Sequence, residues 1–249
     1  MRDAMRMWGY VRMCVLTALT AAIYAAVLIP FKPITIIPGF TEVRPASVIP
    51  IICSIMFGPA GAWGSAFGNL IGDLFGTLGP GSIFGFFGNF LYGYIPYKLW
   101  NIFGMPSPTT GRGVLAILIS AAISSITCGV FIGWGVDLLG FVPFATLGNI
   151  IWINNLLVSA ILAPPLLVLL LERARRWGLL YTQVMAEGDL KGPGLYILGL
   201  ILLVIGSIGG LIAGNAISFG IYKSQIGSVG IGAGLLPFII SILAGAALI

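Results

Sequence analysis

The sequence predicts an all-α, polytopic membrane protein, a six-helix bundle with a C-terminal two-helix extension. Three observations predict it. Of 249 residues, 59% are hydrophobic and 8% charged, with a mean hydropathy of +1.09. Apolar runs long enough to cross a bilayer recur from Met13 to Ile249, so the signal belongs to the whole chain and leaves no sizeable soluble domain. Most lysines and arginines then fall on one side of the resulting topology, as is usual for cytoplasmic loops.

The elements follow in chain order. Arg2, Arg6 and Arg12 precede an apolar run from Met13 to Ile29. A signal peptide can begin this way, but the run is longer than a signal core and is followed by "PFKPITIIP" rather than a small-residue cleavage site, so it reads as an uncleaved first span. Within it Ala18, Ala22 and Ala26 repeat at i, i+4 and i+8, with Ala21 and Ala25 beside them. That face has little side-chain relief, so another helix can approach closely, whether from this chain or from a partner.

The stretch from Pro45 to Gly76 is nearly unbroken and apolar. As one helix it would measure roughly 48 Å against a hydrocarbon core of about 30 Å. "FGP", Phe57 to Pro59, offers a fold-back, because proline disfavours helix in the residue before it and glycine permits a tight turn. Two spans are therefore expected, the first short and partly covered by protein. The remaining spans are Ile83–Trp100, Gly113–Gly133, Thr146–Leu171, Leu195–Phe219 and Val229–Ile249.

Charge supports the split. With the amino terminus in the cytoplasm, nine Lys/Arg lie inside (Arg2, Arg6, Arg12, Lys98, Arg112, Arg173, Arg175, Arg176, Lys191) and three outside (Lys32, Arg44, Lys223), whereas one unbroken span would leave four inside and eight outside. The units are then a six-helix membrane domain at 1–176, a cytoplasmic linker at 177–194 and a transmembrane hairpin at 195–249. The net charge of +5 is explained by these loops, and no nucleic-acid partner is implied.

Several chemistries are disfavoured. The three cysteines, Cys14, Cys53 and Cys128, are far apart and there is no histidine, so no metal site and no cofactor are expected. Without histidine or paired acids an intramembrane enzyme is also disfavoured. No GxxxxGK[ST] loop occurs, so ATP-driven work would need separate ATPases.

Polar residues inside spans normally point away from lipid. Asn69 and Asp73 lie late in the third span, Asn89 and Tyr92 early in the fourth, Trp134 and Asp137 after the fifth, and Asn149, Trp152, Asn154 and Asn155 in the outer half of the sixth. All fall on the outer side, together with Lys32 and Arg44 of the loop "FKPITIIPGFTEVRPAS". Such convergence is expected of an outward pocket with rings to stack on and amides to fix a hydrogen-bonding edge. Taken singly, an asparagine serves equally well as a helix–helix bond, a tryptophan as an interfacial anchor and a loop charge as a solvated one.

The order of motifs resembles a family. An alanine-striped first helix after a basic start, an outer loop ending in "RP", then "IMFGPAGAWGSAFGNLIGDL" and "FFGNFLYGYIPYKLW" is similar to the substrate-binding S components of energy-coupling factor (ECF) vitamin transporters, over roughly Val11 to Arg176. The resemblance implies a six-helix vitamin-binding protein in a prokaryotic plasma membrane, an ABC-type importer subunit driven by two ATPases through a transmembrane T component. It implies Ala18, Ala22 and Ala26 as the face that docks on the T component, and the outer loop as a cover for the pocket. The last two spans lie beyond the family pattern. The rival reading is an ion- or proton-coupled secondary transporter using Asp73 and Asp137, neither of which has an obvious basic partner within a helix turn; no internal repeat supports it.

Overall fold

The computed structural model describes residues 1–190, 194–221, 223–224, 227–228 and 230–249. Lys191, counted among the inside charges, Val229, the expected start of the last span, and Tyr222, Gln225 and Ile226 lie outside the described residues. The helices are α1 (Arg2–Arg6), α2 (Val11–Leu28), α3 (Val48–Phe57), α4 (Pro59–Asp73), α5 (Ser82–Ile102), α6 (Gly111–Leu138), α7 (Phe144–Arg176), α8 (Tyr181–Val184), α9 (Glu187–Leu190), α10 (Tyr196–Val204), α11 (Gly210–Ser218) and α12 (Ile231–Leu248). The loop after α2 carries a small antiparallel ribbon, β1 (Thr35–Ile37) with β2 (Thr41–Glu42). The protein is thus an all-α, multi-pass membrane protein.

Among the described residues five segments are long and apolar enough to cross a membrane: Val11–Phe31, Gly111–Leu138, Phe144–Val184, Tyr196–Ser218 and Ile231–Leu248. The helices between them are shorter or more polar and sit inside. All ten residues of α3 are buried, so its shortness exposes no backbone to lipid. The fold-back falls at Gly58, with φ 57° and ψ −127°, a conformation that L side chains rarely adopt.

Glycines set the spacing. On α4, Gly64 faces Thr20 of α2, Gly68 faces Ala21 and Tyr24, and Gly72 faces Leu28. Without side chains at these positions α2 lies almost on the α4 backbone. The same crossing turns Ala21 and Ala25 inward and leaves Ala18, Ala22 and Ala26 exposed.

Several boundaries differ from the sequence expectation. Trp134 and Asp137 belong to α6, which runs to Leu138, instead of following it. The next helix spans 33 residues, Phe144–Arg176, and so extends past both ends of Thr146–Leu171. The stretch at 177–194 carries two short helices, α8 and α9. Hydrophobic periodicity marks only the core of a span, and capping or extramembrane turns extend it.

The two termini and the linker meet at one end of the bundle. Asp3 and Lys98, both nearly fully buried, pair at 3.0 Å, and the Tyr94 hydroxyl donates to Asp3 at 3.0 Å. Asp189 of α9 pairs with Arg6 at 2.7 Å and accepts from the Tyr10 hydroxyl at 2.7 Å. The Tyr10 bond, aided by Arg6, holds the Asp189 carboxyl below its usual range. Beyond the linker, α10 and α11 are joined by a π-helical turn, Ile205–Gly209; α10 packs on α12, while the π turn, α11 and α12 pack on α6, and α11 also on α7.

A Cβ at Gly68 would stand 2.9 Å from Ala21 O, whereas one at Gly111 would meet nothing within 4 Å. Gly68→Ala is therefore expected to cost about 1–3 kcal/mol through overpacking, and Gly111→Ala almost nothing, in thermal unfolding of the detergent-solubilised chain.

Candidate functional site

At the end of the bundle opposite Lys98, a cavity of about 240 Å³ opens between the β1–β2 loop and the ends of α4, α5, α6 and α7. Its polar wall is Arg44, Asn69, Asp73, Thr77 and Asn89, and its apolar wall includes Ile132, Val136, Leu147 and Ile151. Phe40 from the loop and Phe141 from the α6–α7 turn face each other across its mouth, with ring centroids 6.0 Å apart.

The polar wall is a network of opposite charges. Arg44 Nε donates to Glu42 Oε1 at 2.9 Å and its Nη2 to Asn69 Oδ1 at 2.8 Å. Asn69 Nδ2 donates to Asp73 Oδ2 at 3.2 Å, and the Thr77 hydroxyl to Asp73 Oδ1 at 3.0 Å. Lys32 lies 3.5 Å from Glu42 and 3.6 Å from Asp73. All four charged side chains are at least nine-tenths buried. Burial works against the Arg44 guanidinium, but Tyr24, Glu42 and Asp73 around it hold its pKa above the ordinary arginine value. Two cations and two carboxylates leave the cluster neutral, and this makes its desolvation tolerable.

No basic residue lies within a helix turn of Asp73, as the sequence indicates, yet its carboxylate is paired. Lys32 reaches it from the loop, a contact across the chain that helix spacing cannot show. Asp137 accepts the Phe144 backbone N–H at 2.6 Å and so caps the start of α7.

The remaining sequence candidates divide into groups. Arg44, Asn69, Asp73 and Asn89 line the cavity, with Lys32 bonded to its wall through Thr77 at 2.6 Å. Asn89 accepts from the Tyr24 hydroxyl at 3.0 Å, which ties the floor to α2. Asn154 Nδ2 holds the loop by donating to Glu42 O at 3.0 Å. Tyr92 and Asn155 are almost fully buried and form a layer with Ser47 and Ser159: Tyr92 bonds Ser47 O at 2.9 Å, and Asn155 Oδ1 accepts from the Ser47 hydroxyl at 2.7 Å. Trp134, Asn149 and Trp152 turn instead toward the C-terminal hairpin and its neighbours. Trp134 Nε1 donates to Gly232 O at 3.1 Å, Trp152 Nε1 to Asn149 Oδ1 at 2.9 Å, and Asn149 Nδ2 to Asn215 Oδ1 at 2.6 Å.

Sequence reasoning missed Thr41, Thr77, Phe40 and Phe141, which lie in connections without periodicity. Thr41 lines the cavity, is 2% exposed, and its hydroxyl has no hydrogen-bond partner among the described residues. A buried hydroxyl left so is a natural contact for a polar occupant. Among the described residues no group of three or more His, Cys, Asp or Glu could hold a metal ion.

Cutting one member of the charge network strands the others. Arg44→Met is expected to cost about 3–5 kcal/mol by leaving Glu42 buried beside a neutral side chain, read as a lower midpoint in thermal unfolding. Trp177→Ala, at an exposed residue, serves as the silent control.

Comparison with known proteins gives one family: the family model described as QueT transporter matches residues 14–172. No curated protein and no solved structure matches the chain.

Proposed function

The chain belongs to the QueT transporter family, and from that premise we propose that it is the substrate-binding S component of an ECF-type importer. In this reading it captures a small heterocyclic nutrient, a queuosine precursor or a vitamin-like molecule, from outside a prokaryotic cell. It then delivers the molecule inward through a T component driven by two separate ATPases. The amino terminus, the linker and the Asp3–Lys98 end face the cytoplasm, and the β1–β2 loop faces out. Residues 1–176 are the substrate-binding domain and 195–249 an appended hairpin.

The observation that carries the reading is the orientation of α2. Ala18, Ala22 and Ala26 are exposed while Ala21, Tyr24 and Ala25 are buried against the bundle. A side-chain-poor stripe on the outer surface leaves room for a helix of another subunit to lie close. Family membership supports the same conclusion.

The cavity supports the choice of ligand class. Its volume of about 240 Å³ is at or below the low end for ligand sites, so it suits a compact ring system. Phe40 and Phe141 offer faces for stacking. Asp73 and Asn69 present acceptors, and Arg44, Thr41 and Asn89 present donors, along one wall. A flat heterocycle with both donor and acceptor edges satisfies that wall, and Arg44, Asn69, Asp73 and Asn89 are the side chains assigned to it. Lys32 and Asn154 hold the covering loop in place. The secondary-transporter alternative loses its premise at Asp73, whose carboxylate is already engaged by Lys32, Asn69 and Thr77.

Ala22→Leu is expected to abolish copurification with a T component while leaving ligand binding by the isolated chain intact. Loss of both or of neither opposes the docking assignment. Asn89→Leu is expected to weaken binding of a queuosine precursor at least tenfold in calorimetric titration. Accumulation of solute by vesicles that hold this chain and no ATPase would favour the secondary transporter instead.

A further inference from the structure

The C-terminal hairpin lies beyond the family match, which ends at residue 172, yet it is joined to α6 and α7 by specific contacts. Three polar links span the boundary. The Thr127 and Ser207 hydroxyls meet at 2.7 Å, with both residues almost fully buried. The Asn149 and Asn215 amides bond reciprocally, at 2.6 Å in one direction and 3.3 Å in the other. The Trp134 indole N–H donates to Gly232 O at 3.1 Å. These links fall on the π turn, on α11 and on the first turn of α12.

The contacts also sit where α6 crosses α7. Gly129 and Gly133 of α6 face Gly148 of α7, and the fully buried Phe144 ring fills the space beside Gly133 and Gly148. Its other edge enters the gap left by Gly214 of α11. Phe144 is thus gripped between the cavity-forming helices and the hairpin. The same two helices supply Ile132, Val136, Leu147 and Ile151, the apolar wall of the cavity.

We infer that the hairpin is a built-in clamp: by holding α7 against α6 it fixes the width of the outer cavity, and Asn215 is its positioning residue. The inference that the clamp affects ligand affinity rests on the proposed function; the inference that it holds α6 to α7 does not. In lipid the hairpin gains little from apolar contact alone, so the polar links decide whether it stays in place. Asn149, Trp152 and Trp134 then act on the substrate through the wall they brace.

The test reads the native cysteines in the full-length protein. Cys128 of α6 and Cys53 of α3 are both buried, and Cys14 is removed by Cys14→Ser. In that background Asn215→Leu removes both amide bonds between α7 and α11, leaving Asn149 only its partners on α7, Ala145 O and Trp152, and Cys128 is expected to react with N-ethylmaleimide at least tenfold faster while Cys53 stays protected. Asn149→Leu/Asn215→Leu replaces both amides by matched apolar groups, at the cost of the Trp152–Asn149 bond within α7, and is expected to restore protection, because an amide no longer faces an apolar side chain across the contact. In titration with 7-deazaguanine as the probe, Asn215→Leu is expected to weaken affinity at least fivefold and the double variant to recover it. Unchanged Cys128 reactivity in Asn215→Leu overturns the clamp. Equal exposure of Cys53 and Cys128 overturns it too, by showing general unfolding. Restored protection without restored affinity overturns the positioning role and makes Asn149 a direct ligand contact. A parent chain that does not bind the probe counts against the ligand reading alone, since the labelling still decides the clamp.

Discussion

Lipid gives helices no hydrophobic reason to adhere, so this bundle holds together by bringing backbones into contact, and everything else in the structure depends on that constraint. Gly64, Gly68 and Gly72 let α2 settle on α4, Gly61 lets α4 lie against α3, and Gly199, Gly206 and Gly245 do the same for α10 to α12. Close approach also explains why the ten-residue α3 can exist at all. A helix too short to span survives only where protein covers it on every side, and its neighbours come near enough to do so.

A charge taken out of solvent into such packing is costly unless it finds its partner there. The protein meets this requirement twice, at opposite ends. At one end Asp3 from the first helix neutralises Lys98 of α5, with Tyr94 completing the set. At the other, two cations from the loop and two carboxylates form the cavity wall. The second cluster keeps an unpartnered hydroxyl, Thr41, on the wall of the outer cavity. In the first, the Tyr94 hydroxyl bonds one Asp3 oxygen and Lys98 pairs with the other; in the second, two of the charged side chains, Arg44 and Asp73, line the cavity themselves.

What the sequence revealed follows from which interactions are local. The fold-back at Gly58 was legible because "FGP" carries its own turn chemistry, and the positive-inside count supported it independently. The alanine repeat was legible as a smooth face, though spacing alone did not say which of its alanines face outward; the crossing with α4 decides that. Polar residues in spans showed that they must avoid lipid but not which neighbour they meet. Asn69 and Asp73 meet the loop, whereas Asn149 meets Asn215 in a helix far along the chain. Thr41, Thr77, Phe40 and Phe141 sit in loops where no periodicity points to a face, and only the tertiary arrangement brings them to the cavity.

The two flanks of the bundle differ in a way that bears on how it is used. The hairpin is attached to α6 and α7 by directional hydrogen bonds and an interlocked Phe144, whereas the exposed face of α2 offers methyl groups and no polar links. At about 25 cal/mol per Å² of apolar surface, and with lipid already covering that surface, a row of alanines gains little on association beyond close van der Waals contact. Contact through α2 is therefore easily reversed, while contact through α6 and α7 is not. Under the proposed function, a receptor that loads on its own and then engages a motor would benefit from this asymmetry: the inferred clamp would keep its cavity braced whichever subunit α2 meets, and leaving that subunit would break no buried hydrogen bond.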